Sequence, residues 1–188
     1  MAITFRPLSP PTDEEMLALH DLNPGVRVER TADGRLLMSP TSAQGGYRNA
    51  LLTGQLLAWS LRTAYGPTFD SSAGFLLADS SLFAPDGAFV SKERWKSLTA
   101  EQRDQYFSGA PDAAFEIVSK SDDPLDQRKK CELFARNGSR LVVLIDPYRR
   151  SVERWLDVEF EALGDVATLD CAPIMPGFIL DVRAILLA

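Results

Sequence analysis

Ala113-Ala-Phe-Glu-Ile-Val118 is an apolar run of strand length with one acid, Glu116, in its middle. A bare carboxylate in a buried strand is costly unless a cation, a metal or hydrogen-bond donors meet it. Asp122-Asp-Pro124 then has the form of a helix start, with Pro124 at the first helical position and acids at the positive end of the dipole. Asn137-Gly138 is a stop signal, and Leu141-Val-Val-Leu-Ile145 follows as a second apolar run, closed by Asp146-Pro147. Strand, helix and strand within about 35 residues predict a βαβ unit with a parallel pair, the helix crossing over 124–137.

Helical spacing places Asp126 and Lys130 on one face, together with Leu133 and Phe134. Arg128, Lys129, Glu132 and Arg136 fall on the opposite, solvated side. Lys130 is therefore a lysine on the inward stripe, next to a strand that carries a buried glutamate. Perturbed charges gather at functional sites, which makes this pair a candidate site. The alternative is a structural Asp126–Lys130 helix pair of a few tenths of a kcal/mol.

Outward from this unit, Thr12 and Glu15 predict a capping box for a first helix ending near Leu22, at Asn23-Pro-Gly25. Val26 to Arg30 and Leu36 to Ser39 predict a hairpin around Asp33-Gly34. Glu29 lies on it as an exposed acid between Arg27 and Arg30, expected to be an ion-pair partner. A long helix is predicted from 42 to 65, opened by Thr41 or Ser42 and packed on the sheet through Leu51, Leu57, Ala58 and Leu61. Trp59 on it is a packing residue. Asp86 stands after Pro85 at the mouth of a strand over 86–90, where a surface turn is the default reading of Pro-Asp-Gly. Thr99 is expected to cap a short helix with Gln102, and Trp95 to anchor that region on the core. On the C-terminal side, Ser151 to Leu156 and Val158 to Leu163 are expected to add antiparallel strands turned at Gly164-Asp165. The apolar stretch from Cys171 to Leu187 is expected to pack back.

The composition bounds what this can be. With 188 residues, the expectation is one domain over 1–188, large enough for a true core. A net charge of −6 argues against a broad basic surface for duplex DNA. Met1 to Pro11 lacks the form of a signal peptide and no apolar run reaches membrane length, so a cytoplasmic protein without membrane association is expected. His20 is the only histidine, which excludes histidine-rich metal centres and favours a solvated or capping role for it. No phosphate-binding glycine loop and no nucleophile elbow are present. Cys131, placed on a helix rim, and Cys171 have no metal-type spacing and are not expected to bridge.

Chemistry in this chain falls to carboxylates and lysine. Asp86 and Glu116 are expected on neighbouring core strands, with Lys130 converging on them in a cleft beyond the strand ends. Two carboxylates with waters suit Mg²⁺, and a lysine can steady a developing negative charge.

At these residues the chain resembles a known family. Pro85-Asp86, Phe115-Glu-Ile-Val-Ser119, Asp126-x-x-x-Lys130-x-Glu-Leu-Phe134 and Leu144-Ile-Asp-Pro147 are similar to the Uma family of restriction endonucleases, within the PD-(D/E)xK nuclease superfamily. Val28-Glu29 with Asp33-Gly34-Arg-Leu-Leu-Met-Ser-Pro40 resembles that family's N-terminal hairpin. The resemblance implies an α/β restriction-endonuclease-like core, a mixed β-sheet flanked by helices, assembled as a homodimer. It implies a DNA endonuclease using Mg²⁺ (or Mn²⁺) on Asp86 and Glu116, with Glu29 an accessory acid. The superfamily's lysine slot two residues after the second acid holds Val118 here, and the family resemblance moves the lysine to Lys130. Lys120 competes for that role, four residues along the strand direction. The chain also has Gly45-Gly46 where the family often has a histidine, and Lys120 where it commonly has proline. Two other readings stand beside the nuclease: a nuclease-fold scaffold whose charges form a silent buried cluster, and a hydrolase of a small phosphoester.

Overall fold

The computed structural model describes residues 3–23, 26, 28–38, 42–120 and 122–188. In chain order come β1 (Ile3–Phe5), α1 (Asp13–Leu22), β2 (Val28–Arg30), β3 (Leu36–Met38) and the long helix α2 (Ala43–Thr63). Next are β4 (Thr68–Asp70), β5 (Phe75–Leu76), β6 (Leu82–Phe83), β7 (Gly87–Phe89), α3 (Lys92–Ser97), α4 (Ala100–Arg103) and β8 (Phe107–Ser108). The central unit is β9 (Ala113–Ile117), α5 (Pro124–Arg136) and β10 (Leu141–Asp146). Then follow β11 (Ser151–Leu156), β12 (Glu159–Gly164), β13 (Thr168–Asp170), β14 (Ile179–Asp181) and α6 (Val182–Leu186).

The predicted βαβ unit is present. β9 and β10 pair in parallel, Ala113 opposite Leu141 through Ile117 opposite Ile145, and α5 crosses between them. Its caps are those of the sequence. Asp123 accepts from the Leu125 N–H at 2.8 Å, Pro124 opens the helix, and Gly138 takes a left-handed φ of +110° just past its end. The sheet built around this pair runs β12-β11-β10-β9-β7-β4, with antiparallel strands outside the parallel pair. A second mixed sheet runs β1-β3-β2-β6-β5-β8, and β13 pairs with β14.

Strand alternation divides the core into two layers. Ala113, Phe115 and Ile117 point with Val143 and Ile145 toward α2 and the C-terminal segment, including Phe178, Leu180 and Ile185. Ala114, Val118, Val142 and Leu144 point the other way, toward Cys131 and Phe134 of α5 and Phe75 and Phe83 of the second sheet. By the same alternation Glu116 shares the α5 side. β7 runs antiparallel beside β9, and Gly87 stands opposite Phe115. A Cβ on Gly87 would come within 2.7 Å of Leu56 and 3.1 Å of Leu52, so a larger residue here would displace the side chains by which α2 seats on the strand.

Four expectations change here. α2 seats on the sheet through the buried Leu52, Leu56 and Trp59, whereas Leu57 and Leu61 are exposed. The helix carries apolar residues on two faces, and spacing alone cannot choose between them. Asp126 does not point inward; its carboxylate faces solvent and pairs with Lys129 Nζ at 2.8 Å. Cys131 is fully buried rather than on a rim, and both thiols are free. Burial, reinforced by the Glu116 charge, pushes the Cys131 thiol far up, and burial first of all pushes Cys171 up to about 12. Finally, β11 and β12 turn at Asp157 and Val158, both with positive φ, and not at Gly164-Asp165.

The Thr12–Glu15 and Thr99–Gln102 capping boxes both form, and Trp95 meets Phe69 ring to ring at 5.7 Å. Ser42 caps α2 through the Gly45 N–H at 3.0 Å. The expectations placed on Pro24, Gly25, Arg27, Ser39 and Thr41 lie outside the described residues. Among the described residues, no helix is long and apolar enough to cross a membrane.

Candidate active site

Glu116 is the fourth of the five residues of β9, 2 % exposed, on the side that faces α5. One inward turn of α5 carries Lys130, 9 % exposed, whose Nζ lies 2.8 Å from Glu116 Oε1. The same ammonium donates to Glu29 Oε1 at 2.8 Å and to the Ala84 carbonyl at 3.4 Å. It also lies 5.5 Å from the centroid of the Phe83 ring, a cation–π distance. Glu29 in turn accepts from the Ala84 N–H at 2.9 Å. One lysine therefore ties three elements together: β9, the β2 hairpin strand and the segment between β6 and β7.

Asp86 completes the group from the start of β7. Its Oδ2 accepts from the Ile117 N–H at 2.9 Å, next in chain to Glu116, and its Oδ1 accepts from Asn49 Nδ2 of α2 at 3.1 Å. Both bonds fix the orientation of the Asp86 carboxylate at a site only 8 % exposed. The expectation of a surface turn for Asp86 does not hold. The group does gather at strand ends, with Asp86 just before β7 and Glu116 next to the end of β9, but in place of the expected cleft it is buried beneath the β2–β3 hairpin. Glu29 is also corrected: it is buried, at 9 % exposure, and serves as an ion-pair partner of Lys130.

Comparison with known proteins bears on this arrangement. The family model described as "Uma2: Putative restriction endonuclease" matches residues 13–183. The chain belongs to that family. Among curated proteins, no match is found. Among solved structures, the fold is similar to the crystal structure of a "putative nuclease" from Anabaena variabilis, with a TM-score of 0.75 at 15 % identity. The similarity covers 95 % of this chain and 98 % of that one, and at this identity it shows the restriction-endonuclease-like fold alone.

In this Uma2-family chain, Val118 in the superfamily's lysine slot is an apolar core residue, 2 % exposed. Lys120 lies past the end of β9 and is exposed. It is Lys130, and not Lys120, that reaches Glu116. Two contributors went unnoticed in the sequence. Asn49 shares a helical stripe with Leu52 and Leu56, and a lone amide on such a stripe is a readable sign of a buried polar partner. The Ala84 contacts are backbone and leave no such sign. His20 is half-buried rather than solvated, with Nε2 3.3 Å from the Val28 carbonyl oxygen and Nδ1 3.4 Å from the Tyr106 hydroxyl.

Among the described residues, no group of three or more His, Cys, Asp or Glu side chains is arranged to hold a metal ion. Asp86, just before β7, and Glu116, on β9, offer two carboxylates from paired strands, and Mg²⁺ is commonly held by one or two carboxylates with water filling its remaining positions. The donor set fits a hard divalent cation of that kind.

Proposed function

We propose that this chain is a Mg²⁺- or Mn²⁺-dependent endonuclease that hydrolyses DNA phosphodiester bonds, with Asp86 and Glu116 on the metal and Lys130 at the scissile phosphate. One observation carries the reading: Lys130 reaches Glu116 at 2.8 Å from the next helix, in a chain whose family model is described as "Putative restriction endonuclease". A divalent cation on the two carboxylates would supply charge neutralisation at the phosphate. The chain's own groups do the rest. Asn49 and the Ile117 N–H orient Asp86. Lys130 offers an ammonium to the negative charge developing on phosphate oxygens, and Glu29 anchors that ammonium.

We further infer a homodimer joined along the outward face of α2. Tyr47, Leu57, Leu61 and Tyr65 lie exposed along one side of this region, with nothing near a Cβ placed on Gly54. An exposed apolar stripe of this kind is a surface that association would cover.

The test is cleavage of plasmid, single-stranded and structured DNA in millimolar Mg²⁺ or Mn²⁺. Wild type should cut, and Asp86→Asn and Glu116→Gln should each lose about 100-fold or more. A second reading has its own support: the ammonium already neutralises two glutamates, as a silent scaffold cluster would. Calorimetric titration with Mg²⁺ and Mn²⁺ separates the two. No metal binding by wild type, together with no cleavage, would leave the scaffold standing.

A further inference from the structure

A cavity of about 330 Å³ opens against the acid–lysine group from the hairpin side. Glu29, Phe83 and Ala84 line its inner wall, and these are the residues that Lys130 touches from behind. Val28 and Leu82, both buried, give it an apolar floor. Tyr106, His20 and the exposed Ser72 are on its rim. The Tyr106 and His20 rings meet edge to face, 6.0 Å apart at 81°. Burial foremost pushes the Tyr106 phenol up to about 12, so at neutral pH it keeps its proton.

An apolar floor with aromatic and hydroxyl groups at the rim suits a flat heterocycle with polar edges. Lys130 stands behind this wall and does not line the cavity, so the cavity would take the heterocycle alone and leave its phosphate outside, at the Lys130 group. We propose that this cleft seats the nucleobase adjoining the phosphate bound at the Lys130 group, so that the substrate presents an unstacked or single-stranded nucleotide. The proposal rests on the nuclease reading above and narrows its substrate class. A base inside a duplex is paired and stacked, and enters such a cleft only when extruded. The charge balance points the same way. With 20 basic against 26 acidic residues, the chain has little of the phosphate neutralisation that dominates duplex binding, whereas contacts to the base face depend far less on it.

Calorimetric titration of the full chain with deoxyadenosine, its 5′-monophosphate and inorganic phosphate tests the cleft without metal or turnover. Wild type should bind the nucleoside, and the monophosphate more tightly than phosphate alone. Tyr106→Ala and Ser72→Trp, which fills the cleft from its exposed rim, should each weaken the nucleoside about 10-fold. Phosphate binding should be unchanged in both, and Ser72→Trp should melt as wild type does. Nucleoside binding that is absent in wild type, or equal in wild type and Ser72→Trp, overturns the cleft. Cleavage assays keep the two readings apart. A chain that binds deoxyadenosine in this way but cuts no DNA fails as a nuclease and keeps the base site. One that cuts single strands equally well with Ser72→Trp keeps the nuclease and loses the site.

Discussion

α5 and α2 carry similar signals in sequence and behave differently in the fold. α5 has one apolar stripe, with charges on the other side, and the stripe goes inward: Cys131 and Phe134 are fully buried, and Lys130 is buried between strand and hairpin. α2 has two apolar stripes. Leu52, Leu56 and Trp59 are buried, while Leu57 and Leu61 on the other stripe are exposed, Leu61 at 77 %. A helix with one apolar face orients itself. A helix with two is oriented by its neighbours, here by Gly87, whose missing Cβ admits Leu56. The same lesson applies to charges: Asp126 and Lys130 are one helical turn apart, yet only Lys130 meets buried partners.

The largest effect is expected where the buried charges of α5 are broken. Lys130→Met leaves Glu29 and Glu116 buried without their cation, which should cost about 3–5 kcal/mol in metal-free buffer. Lys129→Met, whose partner Asp126 is exposed, should stay within about 0.5 kcal/mol. Urea denaturation of the two variants decides it, and equal losses would remove the distinction between the faces of α5. If the nuclease reading holds, Lys130→Met should also lose cleavage by about 100-fold, measured at a temperature where it stays folded.

Next come the two faces of α2. Leu56→Ala should destabilise by about 2–5 kcal/mol through the cavity it leaves, and Leu57→Ala by no more than about 0.5 kcal/mol. A reversed order in chemical denaturation would mean the helix is turned the other way. Leu61→Arg sharpens the same contrast from outside. Light scattering should show wild type as a dimer and Leu61→Arg as a monomer, at a cost to association above about 1 kcal/mol. A wild-type monomer at high concentration would end the homodimer proposal.

The smallest expected signal is none. Cys131 and Cys171 are buried, with both thiols pushed up, so neither should react with Ellman's reagent in the native state at pH 8. Both should react once denatured. Rapid native reaction of a variant restricted to Cys131 would show that the inner face of α5 opens.

Much of this architecture is local, and local information was enough for it. Pro124 and Asn137-Gly138 bound α5, the apolar runs on either side make β9 and β10, and Thr12 with Glu15 caps α1, because each signal acts through bonds within a few residues. Glu116 and Lys130 were legible for a related reason: a carboxylate in an apolar strand and a lysine on an apolar stripe are each costly alone and require one another or some equivalent. Glu29 was placed on the right hairpin but expected in solvent. What buries it is Ala84 and Lys130, 55 and 101 residues away, at distances no periodicity encodes. Asn49 was readable in principle as an amide on the stripe of Leu52 and Leu56, whereas the Ile117 N–H and the Ala84 backbone were not, since every residue has such groups. The sequence alone therefore determined the elements and the charged residues that demand partners. Only the tertiary structure decided which partners they met and which apolar face of α2 was covered, because those outcomes depend on packing between segments far apart in the chain.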